Sequence, residues 1–127
     1  MNGKLGVFVP TSKPDEARTF YRDTLGLRLL SEDPFALVFD AGNTTLRVQK
    51  VESFTPHPFT ALGWNVPDIT TEILALFAKG VTFERYGFFQ QDENGVWTAP
   101  DGTGVAWFKD PDGNTLSLAQ SPRKRDA

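Results

Sequence analysis

The feature that most constrains the fold of this 127-residue chain is an internal repeat. A short apolar segment at 5–9 precedes a helical pattern that ends at Gly26, and a second apolar segment at 61–66 precedes another that ends at Gly80. The proline that follows each first strand, Pro10 or Pro67, strengthens the match. Self-similarity of this kind is typical of two copies of one supersecondary unit packed about a pseudo-twofold axis.

Each repeat predicts one helix between the first and second of four strands. Ser12 and Asp15 form a capping-box pattern at the start of the first helix, and Asp68 is an N-cap candidate for the second. A glycine ends each helix. The predicted strands lie at 5–9, where Pro10 ends the strand, and at 27–30, 35–39, 45–48, 61–66, 81–84, 105–109 and 116–118.

The length and the repeat together predict a single α+β domain. Module one is expected at about 4–50, a proline-containing linker at 51–59, module two at about 60–120 and a polar tail at 121–127. The tail contains the basic cluster Arg123-Lys124-Arg125. Terminal charge runs are usually solvated, so we interpret this cluster as an end of the chain and not as a nucleic-acid arm.

Composition excludes several functional classes. The chain has no cysteine, which rules out disulfides, thiolate zinc sites and thiol nucleophiles, and its single histidine, His57, lies between two prolines of the linker. No Ser-His-Asp or Cys-His catalytic set is therefore expected. A net charge of −3 gives no general attraction to nucleic acid. Since no apolar run approaches a membrane span and no secretory segment is recognisable, we expect a soluble, cytoplasmic protein with no membrane partner.

Two motifs carry a family resemblance. The segment ARTFYRDTLGL at 17–27 resembles the first-helix signature FYxxxLGF, and FKDPDGN at 108–114 resembles the closing turn DPDGN. With the repeat, they cover about residues 5 to 120. The chain thus resembles the vicinal oxygen chelate superfamily, the glyoxalase, bleomycin-resistance and extradiol dioxygenase fold, and is closest in character to its metal-free, bleomycin-resistance-like members. The resemblance implies two βαβββ modules whose cupped mixed sheet surrounds a cavity.

The resemblance also implies where a metal would be held. In the metal enzymes of the superfamily, the first strand of each module commonly supplies a histidine and the last strand a glutamate. These positions fall on Gly6 and Arg47 in the first module and on Ala61 and Ser117 in the second. Glycine and alanine offer no side-chain donor, serine is a poor ligand and arginine is a permanent cation. A divalent ion needs about three or four donors, so we expect neither a metal nor another cofactor.

Alternation along each strand predicts which side chains face the cavity. Gly6 and Phe8 share one side, as do Ala61, Gly63 and Asn65. Arg47 either lies at a solvated rim or projects into the cavity and pairs with an anionic oxygen, and both interpretations stay open. Trp97 and Trp107 are pocket candidates because tryptophan joins a flat apolar face to one donor. The predicted ligand-binding residues are Phe8, Arg47, Asn65, Trp97, Trp107 and Ser117.

Several other aromatic and apolar residues are expected in the core or behind the sheet. Helical spacing assigns Phe20, Tyr21, Leu74 and Phe77 to the core. Trp64 alternates away from Asn65 and is expected behind the sheet. The long segment at 86–104, which contains Phe88 and Phe89, breaks the repeat, and segments of that length without regular structure are usually functional or mobile.

The sequence therefore predicts a metal-independent small-molecule binding protein that encloses an aromatic or planar ligand, with a negative charge on the ligand as an open possibility. The alternative is an enzyme of the same superfamily, lyase, isomerase or dioxygenase-like, with atypical or shifted active-site residues. A carboxylate base is conceivable at Asp92 or Glu93, but carboxylates beside Asn94 and Gly95 are mostly turn formers. No catalytic residue is assigned. We also expect a homodimer, because open sheet edges need covering.

Overall fold

The computed structural model describes residues 1–122, so the basic cluster Arg123-Lys124-Arg125 and the rest of the predicted tail beyond Pro122 lie outside the described residues. The chain forms two units. The first contains Met1–His57 together with Asp110–Asn114, and the second contains Pro58–Lys109 together with the described residues from Thr115 to Pro122. The closing turn of the second repeat therefore belongs to the first unit.

The first unit contains a four-stranded mixed sheet. Its elements are β1 (Val7–Thr11), α1 (Pro14–Thr19), β2 (Arg28–Glu32), β3 (Ala36–Asp40) and β4 (Thr45–Lys50). The strand order is β1-β4-β3-β2, with β1 parallel to β4 and the other pairs antiparallel. The buried residues of this unit include Ala17 and Tyr21 of the helical segment and, on one face of the sheet, Val9, Leu37, Phe39, Leu46 and Val48.

The second unit repeats this order of elements. It contains β5 (Thr60–Asn65), α2 (Ile69–Ala78), β6 (Trp97–Thr98), β7 (Gly104–Lys109) and β8 (Thr115–Gln120). The strand order β5-β8-β7-β6 matches that of the first sheet, again with a parallel first pair. The predicted α+β class with two βαβββ modules is confirmed.

The first strand does not end where the sequence analysis placed its end. It runs from Val7 to Thr11 and includes Pro10, which is opposite Gln49 of β4. β1 is an edge strand and pairs only with β4 in its sheet. Proline, which has no backbone N–H to donate, is therefore tolerated there.

The predicted capping box at the first helix is wrong. Lys13 takes the N-cap position, without a side-chain capping bond in the described part of the chain, and its backbone N–H donates to Thr11 Oγ1. The Ser12 side chain donates to Asp112 Oδ1 instead. After Thr19 the helix widens into a π-helical turn, Phe20–Thr24, and Gly26 ends it with φ +75°, as predicted.

The second helix begins as predicted, but its buried stripe is narrower. Asp68 is the N-cap and accepts a hydrogen bond from Thr71 N at 3.2 Å. The buried positions are Ile69, Ile73 and Leu76. The expectation that Leu74 and Phe77 are core residues is wrong: each follows a buried residue by one position, about 100° around the helix, and they are 54% and 68% exposed.

The predicted strand at 81–84 is also wrong, since this segment is not part of a strand ladder. Glu84 N donates to Trp107 O at 2.7 Å, beside the later half of β7. The strand beside β7 at this edge of the second sheet is β6, whose Trp97 pairs with Val105. Two segments of the chain thus share one edge of β7. Within residues 1–122, no helix has the length and apolar character needed to cross a membrane.

Candidate functional site

The two faces of the second sheet differ in burial. One face carries buried apolar side chains and packs near α2; its members are Leu62, Ala106, Phe108, Leu116 and Leu118. Trp64 pairs with Leu118 and lies on this face, as the alternation predicted. On the opposite face Trp107 pairs with Ser117, and Ser117 pairs with Gly63. Because paired residues share a face, these three form one row across the sheet.

A second row on that face runs through Trp97, Val105, Ala119 and Asn65. The face defined by these two rows is called the open face of the second sheet. Ser117 is 8% exposed, the two tryptophans are half-buried and Asn65 is exposed. The structure therefore brings four of the six predicted ligand-binding residues, Asn65, Trp97, Trp107 and Ser117, onto one face of one unit.

Five aromatic rings gather at the open face and are called the aromatic cluster: Tyr86, Phe88, Phe89, Trp97 and Trp107. The Phe89 ring is nearly parallel to Trp107, with an interplanar angle of 7° and a centroid distance of 5.4 Å. It also stacks on Trp97 at 4.7 Å and 27°. Tyr86 meets Trp107 edge-on at 5.5 Å. These arrangements are the offset-stacked and T-shaped geometries that the charge distribution of aromatic rings favours.

The middle of the open face has little side-chain volume. A Cβ atom added at Gly63 would lie 2.7 Å from Ser117 Oγ, so the glycine allows the serine hydroxyl to approach the β5 backbone. Ala61 lies at an irregularity between Thr60 and Leu62, where β5 has one residue more than its partner. The prediction that Ala61 and Gly63 share one face used strict alternation, and this rule does not hold across a bulge, which shifts the side-chain register.

The segment at 86–91, which supplies three of the rings, is anchored by the Gln91 side chain. Gln91 Oε1 accepts from Tyr86 N at 2.8 Å, and Nε2 donates to Glu84 O and Gly95 O at 3.0 and 2.8 Å. Asp92 closes the following turn by accepting from Asn94 N and Val96 N. This turn-forming role is the one that the sequence favoured for Asp92 over a catalytic one.

The other two predicted ligand-binding residues lie in the first unit. Phe8 and Val38 both pair with Arg47, so the three form a row on the less buried face of the first sheet. Phe8 is 61% exposed and Arg47 is half-buried. Within residues 1–122, no carboxylate comes within ion-pair distance of Arg47. Its charge contributes to lowering the pKa of Asp33, after the larger effect of hydrogen bonds from Phe35 N and Ala36 N.

The residues at the expected ligand positions do not fit a divalent metal. Gly6 precedes β1 and an added Cβ there would contact the Phe8 ring at 3.5 Å, so its position agrees with the predicted side. Gly6 and Ala61 have no donor, Ser117 has a neutral hydroxyl, and the guanidinium of Arg47 repels a cation. Across residues 1–122, no three His, Cys, Asp or Glu side chains are grouped so that they could hold an ion.

The closing turn forms a buried polar network in the first unit. Tyr21 OH donates to Asp110 Oδ2 at 2.7 Å, and Asn114 Nδ2 donates to the same oxygen at 2.9 Å and to Pro10 O at 3.0 Å. Burial raises the pKa of Tyr21, and Asp110 strengthens the effect; burial also raises the pKa of Asp110. Asp112 accepts from Ser12 N at 2.8 Å. These bonds support the structural role that the sequence analysis gave to Asp110 and Asp112.

Two surface cavities lie away from the aromatic cluster. One, of about 280 Å³, is bounded by α2 and the 82–94 segment and includes the exposed Phe77 and Arg85. Arg85 donates to the backbone carbonyls of Asp92 and Glu93. The other, of about 330 Å³, lies beside the turn between β3 and β4.

The sequence as a whole identifies the family of the chain. Residues 5–118 match the family model of the Glyoxalase/Bleomycin resistance protein/Dioxygenase superfamily. The chain belongs to this superfamily. The resemblance seen in the helix signature and the closing turn is thereby confirmed at the level of the superfamily.

Several solved structures share this fold at low sequence identity. A lactoylglutathione lyase from Agrobacterium tumefaciens is 17% identical with a TM-score of 0.71, and the match covers 94% of each chain. A glyoxalase family protein from Enterococcus faecalis is 22% identical with a TM-score of 0.72, covering 93% of this chain and 97% of that one. TnmS3, an antibiotic binding protein from Streptomyces sp. CB03234, is 22% identical with a TM-score of 0.65, covering 95% and 98%. No curated protein matches the chain in sequence.

Sequence reasoning missed Phe89 and Tyr86 as members of the aromatic cluster. Both lie in the segment that breaks the repeat, where no helical or strand period relates one ring to another. The available signal was the density of aromatic residues between 86 and 97, which indicated that rings gather there but not which of them meet.

Proposed function

We propose that this protein binds a planar aromatic small molecule at the open face of its second sheet, without a metal ion. The observation that carries the proposal is the pair of half-buried tryptophans, Trp97 and Trp107, which project from adjacent strands with centroids 6.2 Å apart. Flat rings of this size bury large apolar areas and keep one hydrogen-bond donor each, which suits recognition of a planar molecule.

The neighbouring residues support binding over catalysis. Gly63 and Ser117 continue the row of Trp107 and add little volume, so a ligand can lie along the sheet surface. They also lack the charged or imidazole groups that general acid–base chemistry needs. Metal independence is proposed on the donor chemistry of Gly6, Arg47, Ala61 and Ser117 alone. TnmS3 is described as an antibiotic binding protein, and that activity is a property of TnmS3. For this chain it supports only the point that a protein with this fold can bind a small molecule.

Arg47 offers a separate contact for an anionic group on the first sheet. A half-buried guanidinium without an ion-pair partner among residues 1–122 has unused donors in a geometry that matches carboxylates. We therefore propose that Arg47, with Phe8 in the same row, binds an anionic group at the first sheet. Asn65, on the row of Trp97, is proposed as a polar contact.

Equilibrium dialysis with 2-naphthoate tests the proposal, because this probe is planar, aromatic and anionic. Binding should persist in excess EDTA. Trp107→Leu, which keeps an apolar side chain but removes the flat indole, should weaken binding by about 2 kcal/mol. Trp64→Leu is the matched control, since Trp64 lies on the opposite face, and it should leave the affinity unchanged.

Two results would count against the proposal. One is no binding of either 2-naphthoate or the larger pyrene-1-carboxylate up to about 1 mM, a threshold near −4 kcal/mol. The other is equal weakening by Trp107→Leu and Trp64→Leu, with circular dichroism showing both variants folded. Binding that EDTA abolishes would remove the metal-independent part.

The expected homodimer also stays a proposal. Both sheets have edge strands, and exposed edges invite pairing with another chain. Sedimentation velocity over a range of concentrations decides it: a two-chain species supports the dimer, and a monomer throughout contradicts it.

A further inference from the structure

Phe89 occupies the surface on which a stacked aromatic ligand would lie. Its ring is parallel to Trp107 within 7° and lies within stacking distance of both tryptophans. A planar ligand on the same indole faces would use the same offset-stacked geometry. The side chain of Phe89 and a planar ligand therefore compete for one place.

The two ends of the segment that carries Phe89 are fixed. Gln91 ties Tyr86 N, Glu84 O and Gly95 O together through one side chain. Gln91 also forms an isolated bridge with Trp97 of β6. These contacts join residues 86 and 91 to each other and to the sheet without involving residues 87–90.

The tip of the segment, residues 87–90, packs through the rings of Phe88 and Phe89 and not through the Gln91 side chain. Phe88 is 79% exposed and Gln90 is exposed. A Cβ added at Gly87 would meet no atom within 4 Å. Phe89 N donates to Tyr86 O at 3.0 Å within a tight turn, and the half-buried Phe89 ring packs the tip against the sheet. Displacing that ring frees the tip without breaking the Gln91 anchor.

We infer that Phe89 is a built-in competitor for the aromatic site and selects ligands whose fused rings are larger than its own phenyl group. This inference rests on the proposed function. A monocyclic ligand would replace one phenyl ring by another and gain no stacking area. A fused bicyclic or tricyclic ligand covers more of Trp97 and Trp107 than Phe89 does, and the difference favours displacement.

Equilibrium dialysis of wild type and Phe89→Ala with three carboxylates tests the inference: 2-naphthoate, benzoate and the non-planar adamantane-1-carboxylate. Wild type should bind 2-naphthoate with clearly higher affinity than benzoate. Phe89→Ala should bind both more tightly, by about 2- to 13-fold, the factor equivalent to one stacked aromatic pair. The gain for adamantane-1-carboxylate should be smaller. Phe77→Ala is the control, because this exposed phenylalanine lies on α2 and is not part of the aromatic cluster, and it should change the affinities by less than about twofold.

Each outcome decides one question. Weaker or unchanged naphthoate binding in Phe89→Ala overturns the inference and leaves the proposed function standing, since Phe89 would then be part of the binding wall. An equal gain for adamantane-1-carboxylate also overturns it, because a merely loosened segment would expose apolar surface to any ligand. Absence of binding in both proteins contradicts the proposed function and the inference together. If Phe89→Ala does not fold, Phe89→Leu, which keeps the bulk without a flat ring, decides by the same criteria.

Discussion

The two units use the same strand order for different surfaces. Both sheets place the first strand parallel to the last and bury one apolar face with a helix. On the other face, the first unit presents Phe8 and Arg47 in one row, whereas the second presents Trp107, Ser117 and Gly63. The scaffold is thus repeated while the chemistry of the exposed face is not.

The difference arises at the second strand of each module. In the first unit this is β2, five residues that follow the helix after a short turn. In the second unit, residues 81–84 form no ladder, and the two-residue β6 reaches the edge only after the segment at 86–96. The inserted residues bring the aromatic rings to the sheet, so the departure from the repeat is what creates the candidate site.

The largest expected effect concerns the closing turn, which stabilises the first unit. Asp110 is 6% exposed and accepts hydrogen bonds from Tyr21, Asn114 and Asp112. Asp110→Ala should lower the free energy of unfolding by about 3 kcal/mol, because it leaves buried donors without acceptors. Urea unfolding followed by circular dichroism measures the loss. Asp101→Ala, at an exposed turn of the second unit where Asp101 accepts from Thr103 N, is the control and should cost less than about 1 kcal/mol. Equal losses would contradict a special role for the buried turn.

The next effect separates the charged face from the aromatic one. Arg47→Ala should weaken the binding of the 2-naphthoate carboxylate at the row of Phe8 and Arg47 on the first sheet by about 1.5 to 3 kcal/mol, the range for hydrogen bonds to charged groups, with the fold intact. The neutral analogue 2-naphthamide should bind wild type and variant equally. Parallel dialysis with the two probes makes the comparison. An unchanged naphthoate affinity would show that the charge of Arg47 is not used.

The smallest expected effect is the loss of stability of the first unit at low pH, through Glu32. Glu32 accepts two bonds from Arg18, at 2.6 and 2.7 Å, and one from Lys50 at 3.0 Å. The bonds from Arg18, and secondarily from Lys50, lower the pKa of Glu32 to about 2 from its usual 4.5. A carboxylate with a lowered folded-state pKa stabilises the fold above the unfolded-state pKa and loses that contribution as the pH falls toward the folded-state value.

The stability difference between wild type and Glu32→Gln should therefore be full above about pH 5 and shrink steadily toward about pH 2. Urea unfolding at several pH values within this window measures it. A difference that stays constant across the window would contradict the ion-pair account of Glu32.

Much of the fold could be predicted from the sequence because its signals are local. Gly26 and Gly80 end their helices with positive φ, a conformation that glycine adopts without strain. The internal repeat then predicted the same order of strands and helix in both modules. Two predictions failed where the answer depends on packing: Pro10 remains in β1 because β1 is an edge strand, and Leu74 and Phe77 are exposed because the sheet contacts only the neighbouring helix positions.

The candidate site was predictable only in part. Trp107, Ser117 and Asn65 lie on regular strands, where alternation places them on one face. Phe89 reaches the same face through a tight turn and the anchoring bonds of Gln91, which no periodic pattern encodes. Ala61 shows the same limit, because a single irregularity in β5 breaks the alternation that the prediction used.

The most direct test of the account uses the indole N–H signals of the three tryptophans in a ¹H–¹⁵N spectrum, assigned by single Trp→Phe variants. Adding 2-naphthoate should shift Trp107 and Trp97, which stack on Phe89 at the open face, and leave Trp64 on the opposite face in place. Saturable shifts of Trp107 and Trp97 alone are the predicted result. A shift confined to Trp64, or binding that moves none of the three signals, would contradict an aromatic site on the second sheet.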